Sequence, residues 1–154
     1  MGRVKGQGPR VRVSNENKKF RVNCALIKRV AEEVLAEAAK YNKSAVEILF
    51  VDDRRIRALN KRYKKSNRPT DVLSFELDGC GLVAISLDTA ADNADIFHTS
   101  VEEEAVLYVI HGILHLFGYD DGTAGKKERM DKRQLDLLEK ICTKEILSRV
   151  LTPR

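Results

Sequence analysis

Two histidines, His111 and His115, stand four residues apart in the segment His-Gly-Ile-Leu-His. On a helix, side chains at positions i and i+4 lie one above the other, so both imidazoles point to the same side. One metal ion could bind both rings, as in zinc helices of the H-E-x-x-H type. Gly112 stands where those helices carry a glutamate, so the general base of an ordinary zinc peptidase is missing. The spacing predicts a metal site and disfavours peptide hydrolysis.

The residues that follow could supply a third ligand. Gly118 can adopt the left-handed conformation that ends a helix, and the chain could then bring Asp120 or Asp121 back to the same ion. The remaining histidine, His98, is a weaker candidate, because thirteen helical residues would span about 20 Å. The alternative is a buried, hydrogen-bonded histidine pair without a metal. The nearby glycine and carboxylates favour the metal.

Charge is strongly segregated along the chain, although the net charge is only +5. Residues 1–30 contain nine Lys/Arg and one acid, and residues 54–68 contain eight Lys/Arg and no acid. Residues 70–104 contain nine acids and no Lys/Arg. A solvated helix face is the usual explanation of one charge run. Two basic runs beside a metal motif favour a polyanionic partner, most simply a nucleic acid.

Length and composition indicate the general class of protein. A chain of 154 residues suits a single domain, 1–154, in which we expect the basic segment 1–10 to be flexible. Cys24, Cys80 and Cys142 are odd in number and widely spaced, which predicts reduced thiols rather than disulfides. No apolar run of about 18 residues is present, so we expect no membrane span and a cytoplasmic location.

Start signals and apolar spacing predict the helices. Ser100, with Glu103 three residues later, is a capping box that opens the histidine helix over 101–117. Asn23 begins a helix that runs to about Tyr41, and Asp52 or Asp53 begins a short one that ends near Tyr63. A further helix is expected over 88–96 and a long one over 124–150. The expected inward stripes are Leu26, Val30, Val34 and Ala38 in the first helix, and Met130, Leu135, Leu138, Ile141 and Leu147 in the last.

Strands are predicted over residues 11–14, 45–51, 72–77 and 82–87. Together with about five helices, they predict an α+β, or layered α/β, fold built on a small four-stranded sheet.

Three motifs resemble the YbeY family of metal-dependent endoribonucleases and rRNA maturation factors. They are the run from Pro69 to Phe75 (P-T-D-V-L-S-F), the segment from His111 to Asp121, and Leu59-Asn60-x-x-Tyr63. The resemblance covers about residues 46–139. It implies a mostly parallel sheet and one Zn²⁺ per chain, with another divalent transition metal as an alternative.

The resemblance also assigns metal ligands. His111 and His115 match the first two histidines of the family, whereas Asp121 stands where the family has a third. A carboxylate oxygen is an accepted zinc ligand, so the resemblance implies the set His111, His115 and Asp121. Asp120 matches an aspartate of the family, which we expect to orient a ligand or the loop.

Other assigned positions concern substrate and catalysis. Lys64 replaces an arginine implicated in the activity of the family, and a strand aspartate of the family is lost in the stretch Gly81-Leu82. Lys64, Asp71 and Ser74 are the expected catalytic positions, although Asp71 and Ser74 could equally be structural or, with Thr70, shape the cleft wall. The expected RNA contacts are Lys61, Arg62, Lys65 and Arg68.

The sequence therefore predicts a metal-dependent single-strand endoribonuclease that acts in ribosomal RNA maturation and ribosome assembly. Its expected partners are ribosomal RNA and the small ribosomal subunit. A non-catalytic assembly factor that retains the fold and the basic surface is the alternative, and a metal hydrolase acting on peptides is a third. Whether bound water or the RNA 2′-hydroxyl attacks the phosphate is left open.

Overall fold

The computed structural model describes residues 10–37 and 45–154. The strands in this part of the chain are β1 (Arg10–Asn15), β2 (Phe20–Val22), β3 (Ala45–Val51), β4 (Val72–Leu77), β5 (Cys80–Ser86) and β6 (Leu151–Pro153). The helices are α1 (Cys24–Glu37), α2 (Asp53–Lys64), α3 (Leu87–Phe97), α4 (Val101–Leu116), α5 (Ala124–Ile141) and α6 (Lys144–Val150).

The main sheet has the strand order β1-β3-β5-β4. The first three of these strands are parallel, and β4 pairs antiparallel with β5. The β4–β5 hairpin turns through Asp78 and Gly79, whose φ angles are 51° and 80°. Two consecutive positive φ angles suit the right-handed twist of a two-residue hairpin, and Asp-Gly adopts them readily. The predicted α+β fold with a mostly parallel four-stranded sheet is confirmed.

The two faces of the sheet carry separate hydrophobic clusters. The larger one joins the sheet to α1, α4 and α5, and Ile48, Ile85 and Ile110 are fully buried in it. The smaller one joins β4 and β5 to α2 through Ile56 and Leu59. The edge strand β4 therefore lies between α2 on one face and the histidine helix α4 on the other.

Several predicted helix starts are confirmed by the capping hydrogen bonds. The Asn23 side chain accepts a hydrogen bond from the N–H of Leu26, and the Asp52 side chain accepts one from Arg55. Ser100 Oγ accepts from the N–H of Glu103 at 3.0 Å. The expected end of the first helix near Tyr41 and its Ala38 lie outside the described residues. So does the expected flexible segment, except Arg10, which begins β1.

The C-terminal third differs from the sequence prediction. The long helix predicted over 124–150 is two helices, because the Thr143 side chain accepts a hydrogen bond from the N–H of Ile146 and starts α6. Six helices therefore stand where about five were expected among the described residues. The strands β2 and β6 were not predicted. Each has three residues, and their antiparallel pairing joins positions far apart in sequence.

One expected core position in α5 is wrong. Leu135 is 58% exposed, whereas the buried residues of the helix are Met130, Gln134, Leu137 and Ile141. Their spacing of four, three and four residues defines one face of the helix. Because Gln134 is polar, the positions of the apolar residues alone did not predict this face.

Two further observations concern the cysteines and the possibility of a membrane-spanning helix. Cys24, Cys80 and Cys142 are free thiols. Burial raises the pKa of the Cys142 thiol to about 11, so it stays protonated at neutral pH. In the described residues, no helix has the length and apolar character needed to cross a bilayer.

Candidate metal centre

The last two turns of α4 bring the two histidine rings together. His111 Nε2 and His115 Nε2 are 3.1 Å apart, and the ring centroids are separated by 4.6 Å with the planes at 65°. Both side chains are partly buried. The predicted shared face is therefore present, with one nitrogen of each ring directed at the other.

Gln134 of α5 contacts the opposite side of the His111 ring. Its Oε1 is hydrogen-bonded to His111 Nδ1. An amide oxygen can only accept, so this contact favours the tautomer with the proton on Nδ1, in which the neutral ring keeps its lone pair on Nε2. This is the usual arrangement of a metal-binding histidine, in which the ring nitrogen that does not bind metal donates to an oxygen.

The facing nitrogens fit a divalent transition metal. With the His111 proton on Nδ1, the lone pair of His111 Nε2 faces His115 Nε2, which is the arrangement that a shared cation needs. Two nitrogens bound tetrahedrally at about 2.0–2.1 Å lie roughly 3.3–3.4 Å apart. The 3.1 Å separation is close to that value. Imidazole donors suit zinc, and they also suit several other first-row metals.

The environment of His115 favours the neutral ring that binds metal. Burial lowers its pKa, and the neighbouring His111 lowers it further. The carboxylate of Asp121 acts in the opposite direction, and the ammonium of Lys64 again lowers the pKa. These influences place both Asp121 and Lys64 near the histidine pair.

Gly112 explains how closely α4 approaches the sheet. A Cβ at this position would lie 2.4 Å from Val83 Cγ1 and 3.0 Å from Ser74 Oγ. Ser74 Oγ also donates a hydrogen bond of 2.8 Å to the carbonyl oxygen of Gly112. The residue that replaces the glutamate of zinc peptidases therefore permits close packing beside the histidines.

The loop after α4 turns back as the sequence predicts. Gly118 has a φ of +91°, which favours glycine. Asp120 Oδ1 accepts a hydrogen bond from the N–H of Gly122, and this bond is the main reason that the Asp120 pKa is lowered. Asp120 Oδ2 lies 3.4 Å from Lys126 Nζ. Asp120 thus fixes the shape of the loop that carries Asp121.

The third ligand stays a prediction. Asp121 is exposed. Across residues 10–37 and 45–154, no group of three or more His, Cys, Asp or Glu side chains lies close enough to hold an ion. The charge of Asp121 acts on the pKa of His115, but the carboxylate would have to move inward to bind a metal ion held by the histidines. His98 ends α3 with a φ of 57° and is exposed, as expected of a residue outside the site.

The basic residues gather at the C-terminal end of α2. Lys61, Arg62 and Lys64 occupy its last turn, Lys65 caps it with a φ of 56°, and Arg68 follows in the loop. All five side chains are exposed. Asn60, only 7% exposed, donates from Nδ2 to the carbonyl oxygen of Arg68 and so holds this loop against the helix.

Asp71 and Ser74 lie in different surroundings. Ser74 contacts the backbone of α4 beside His111. Asp71 Oδ1 accepts hydrogen bonds from the N–H of Val72 and from Thr70 Oγ1. Burial is the main reason that the pKa values of Glu104 and Tyr108, in the first half of α4, are raised, and the charge of Asp71 raises both slightly further. The structure therefore places Ser74 beside the turn of α4 that carries His111 and Lys64 within electrostatic reach of His115, whereas the charge of Asp71 acts on Glu104 and Tyr108.

Apolar packing fills the place of the missing strand aspartate. Leu82 pairs with Phe75 across β4 and β5 and packs in the smaller cluster with Tyr63. The Tyr63 and Phe75 rings stack with centroids 4.4 Å apart.

Sequence reasoning missed Gln134 altogether. The available signal was a polar residue four positions after Met130 and three before Leu137, within a helical stripe that packs inward. A polar side chain in such a stripe needs a buried partner.

Comparison with known proteins identifies the family. The family model described as Endoribonuclease YbeY matches residues 12–142. The Endoribonuclease YbeY of Aquifex aeolicus is 40% identical over 136 residues, covering 84% of this chain and 89% of that protein. The one from Syntrophus aciditrophicus is 31% identical over 139 residues, covering 82% and 86%.

A solved structure has the same fold. The solution structure of TM1509 from Thermotoga maritima aligns with a TM-score of 0.62 and 30% sequence identity. The alignment covers 85% of this chain and 88% of that one. From the family match and the relatives together, the chain belongs to the YbeY family of endoribonucleases.

Proposed function

We propose that this protein is a metal-dependent, single-strand endoribonuclease acting in ribosomal RNA maturation and ribosome assembly. The observation that carries the metal dependence is the pair of facing Nε2 atoms, 3.1 Å apart, with Gln134 Oε1 hydrogen-bonded to His111 Nδ1 on the other side of the ring. Family membership supports cleavage of RNA. The ribosomal role rests on the resemblance of the motifs.

In this proposal His111 and His115 hold a divalent ion, with Zn²⁺ first and another transition metal as the alternative, and Asp121 is the third ligand. The bound ion would polarise the scissile phosphate and stabilise its developing charge. Lys64 would hold a phosphate oxygen as a point charge, since lysine lacks the bidentate fork of arginine. Asp71 and Ser74 would shape the cleft wall.

The RNA would contact the cations at the end of α2. In the described part of the chain, no carboxylate forms an ion pair with Lys61, Arg62, Lys65 or Arg68. Unpaired exposed cations can bind phosphate without first breaking an ion pair. Ribosomal RNA and the small ribosomal subunit are the proposed partners, and the cytoplasm is the proposed location.

Cleavage is tested with ribosomal RNA and single-stranded oligoribonucleotides. The purified protein is incubated with them alone, with a chelator, and with the chelator followed by Zn²⁺ or Mn²⁺, and His111→Ala serves as the control. We expect cleavage that the chelator stops and the metal restores. RNA binding without cleavage in any metal would instead support the non-catalytic assembly factor, which the exposed position of Asp121 favours.

Binding is tested by charge reversal. Changing Lys61, Arg62, Lys64 and Lys65 to Glu should weaken RNA binding and flatten its dependence on salt, because fewer counterions are released. The matched control reverses four exposed cations of α5 and α6, Arg129, Lys132, Lys144 and Arg149. Equal losses in the two variants would contradict the proposed contact surface.

A further inference from the structure

Gln134 is a buried polar side chain on a helix face that is otherwise apolar. It is 7% exposed, and its neighbours along the buried face of α5 are Met130, Leu137 and Ile141. Burying an amide without a hydrogen-bond partner is unfavourable, so a polar residue here needs a partner. The partner is His111 Nδ1.

The contact has a chemical consequence for the ring. Without an acceptor at Nδ1, a neutral histidine can carry its proton on either nitrogen. A proton on Nε2 would block the atom that faces His115. With Gln134 Oε1 as acceptor, the proton stays on Nδ1 and the Nε2 lone pair faces the other ring.

The contact also links two elements of the site. His111 is on α4 and Gln134 is on α5, and the loop with Asp120 and Asp121 connects the two helices. Holding the third turn of α5 against the His111 ring therefore limits where this loop can lie.

We propose that Gln134 is a positioning residue that fixes the Nδ1-protonated tautomer of His111 and so presents Nε2 to a divalent metal ion. The proposal rests on the proposed metal dependence, but its effect on the ring exists in the metal-free protein as well.

The first experiment measures the tautomer directly. Imidazole ¹⁵N chemical shifts of the metal-free protein are recorded about two pH units above the ordinary histidine pKa of about 6.5. We expect a protonated Nδ1 in the parent and in Gln134→Glu, which keeps an acceptor. In Gln134→Leu we expect the proton on Nε2 or shared between the two nitrogens. An unprotonated Nδ1 in the parent, or the same tautomer in the parent and Gln134→Leu, would overturn the proposal.

The second experiment measures binding of Zn²⁺ alone by competition with a chromophoric chelator. Loss of an outer-shell partner typically weakens metal affinity about 10–100-fold, which we expect for Gln134→Leu and not for Gln134→Glu. Met130→Leu, one turn earlier on the same buried face, controls for disturbed packing and should bind as the parent does. Unchanged affinity in Gln134→Leu would contradict the proposal. If the parent binds no metal, the proposed function fails, and the tautomer measurement still decides the role of Gln134.

Discussion

Replacing Gly112 by alanine tests whether α4 is packed as closely on the sheet as the structure indicates. The added Cβ would lie 2.4 Å from Val83 Cγ1 and 3.0 Å from Ser74 Oγ. Val83 is fully buried and cannot move into solvent. Either its side chain leaves its rotamer or α4 moves away from the sheet, so we expect the variant to be less stable.

The size of the effect follows from two opposing contributions. Overpacking a well-filled core typically costs about 1–3 kcal/mol. Replacing glycine by alanine inside a helix returns about 1 kcal/mol. We therefore expect Gly112→Ala to lower the free energy of unfolding by up to about 2 kcal/mol.

Gly125 provides a matched control. It lies in the first turn of α5, and a Cβ there would meet no atom within 4 Å. Gly125→Ala should raise the free energy of unfolding by up to about 1 kcal/mol, because only the helix propensity changes. Urea denaturation followed by circular dichroism measures both variants against the parent.

A double-mutant cycle identifies the contact. Val83→Ala removes both valine methyl groups that the added alanine Cβ would meet, so Gly112→Ala should cost much less in that background, with a coupling of about 0.5–3 kcal/mol. If Gly112→Ala stabilised the protein as Gly125→Ala does, the close approach of α4 to β5 would be wrong.

Three further predictions concern the loop, a buried acid and a thiol. If Asp121 is a ligand, Asp121→Ala should weaken Zn²⁺ binding by more than the roughly 10–100-fold that follows the loss of an outer-shell partner. Asp121→His should retain Zn²⁺ binding, and Asp120→Ala should weaken it less than Asp121→Ala does. Equal Zn²⁺ affinity of Asp121→Ala and the parent in a metal titration would remove Asp121 from the ligand set. Burial raises the pKa of Glu104, so the stability that its protonated carboxyl contributes is present below the unfolded pKa of about 4.5 and is lost as pH rises through the folded pKa. Glu104→Gln can still accept the hydrogen bond from Thr99 Oγ1. In urea denaturation this variant should therefore be more stable than the parent at pH 7, and the gain should disappear below about pH 4.5. Burial raises the pKa of Cys142 to about 11, so we expect it to be alkylated at pH 8 more slowly than Cys24 or Cys80, with the rates measured by mass spectrometry. Equal alkylation rates at all three cysteines would contradict the burial of Cys142.

The features that the sequence determined by itself are those that depend on local interactions. Helix starts at Asn23, Asp52 and Ser100 depend on hydrogen bonds that close within three residues, so side-chain chemistry at one position was enough to predict them. The shared face of His111 and His115 follows from the helical period alone. The turn at Gly118 after α4 likewise needs only a residue that tolerates positive φ.

Long-range contacts were decided only by the tertiary structure. The pairing of β2 with β6 joins segments at opposite ends of the described chain, and neither segment is long enough to have a pattern of its own. Gly112 looks like a substitution in a metal motif until Val83 and Ser74 are seen to fill the space beside it. The buried face of α5 depends on which helix packs against it, so counting apolar residues placed Leu135 inside and overlooked Gln134. The tautomer of His111 is fixed by a residue 23 positions away, because a hydrogen bond needs nearness in space and not in sequence.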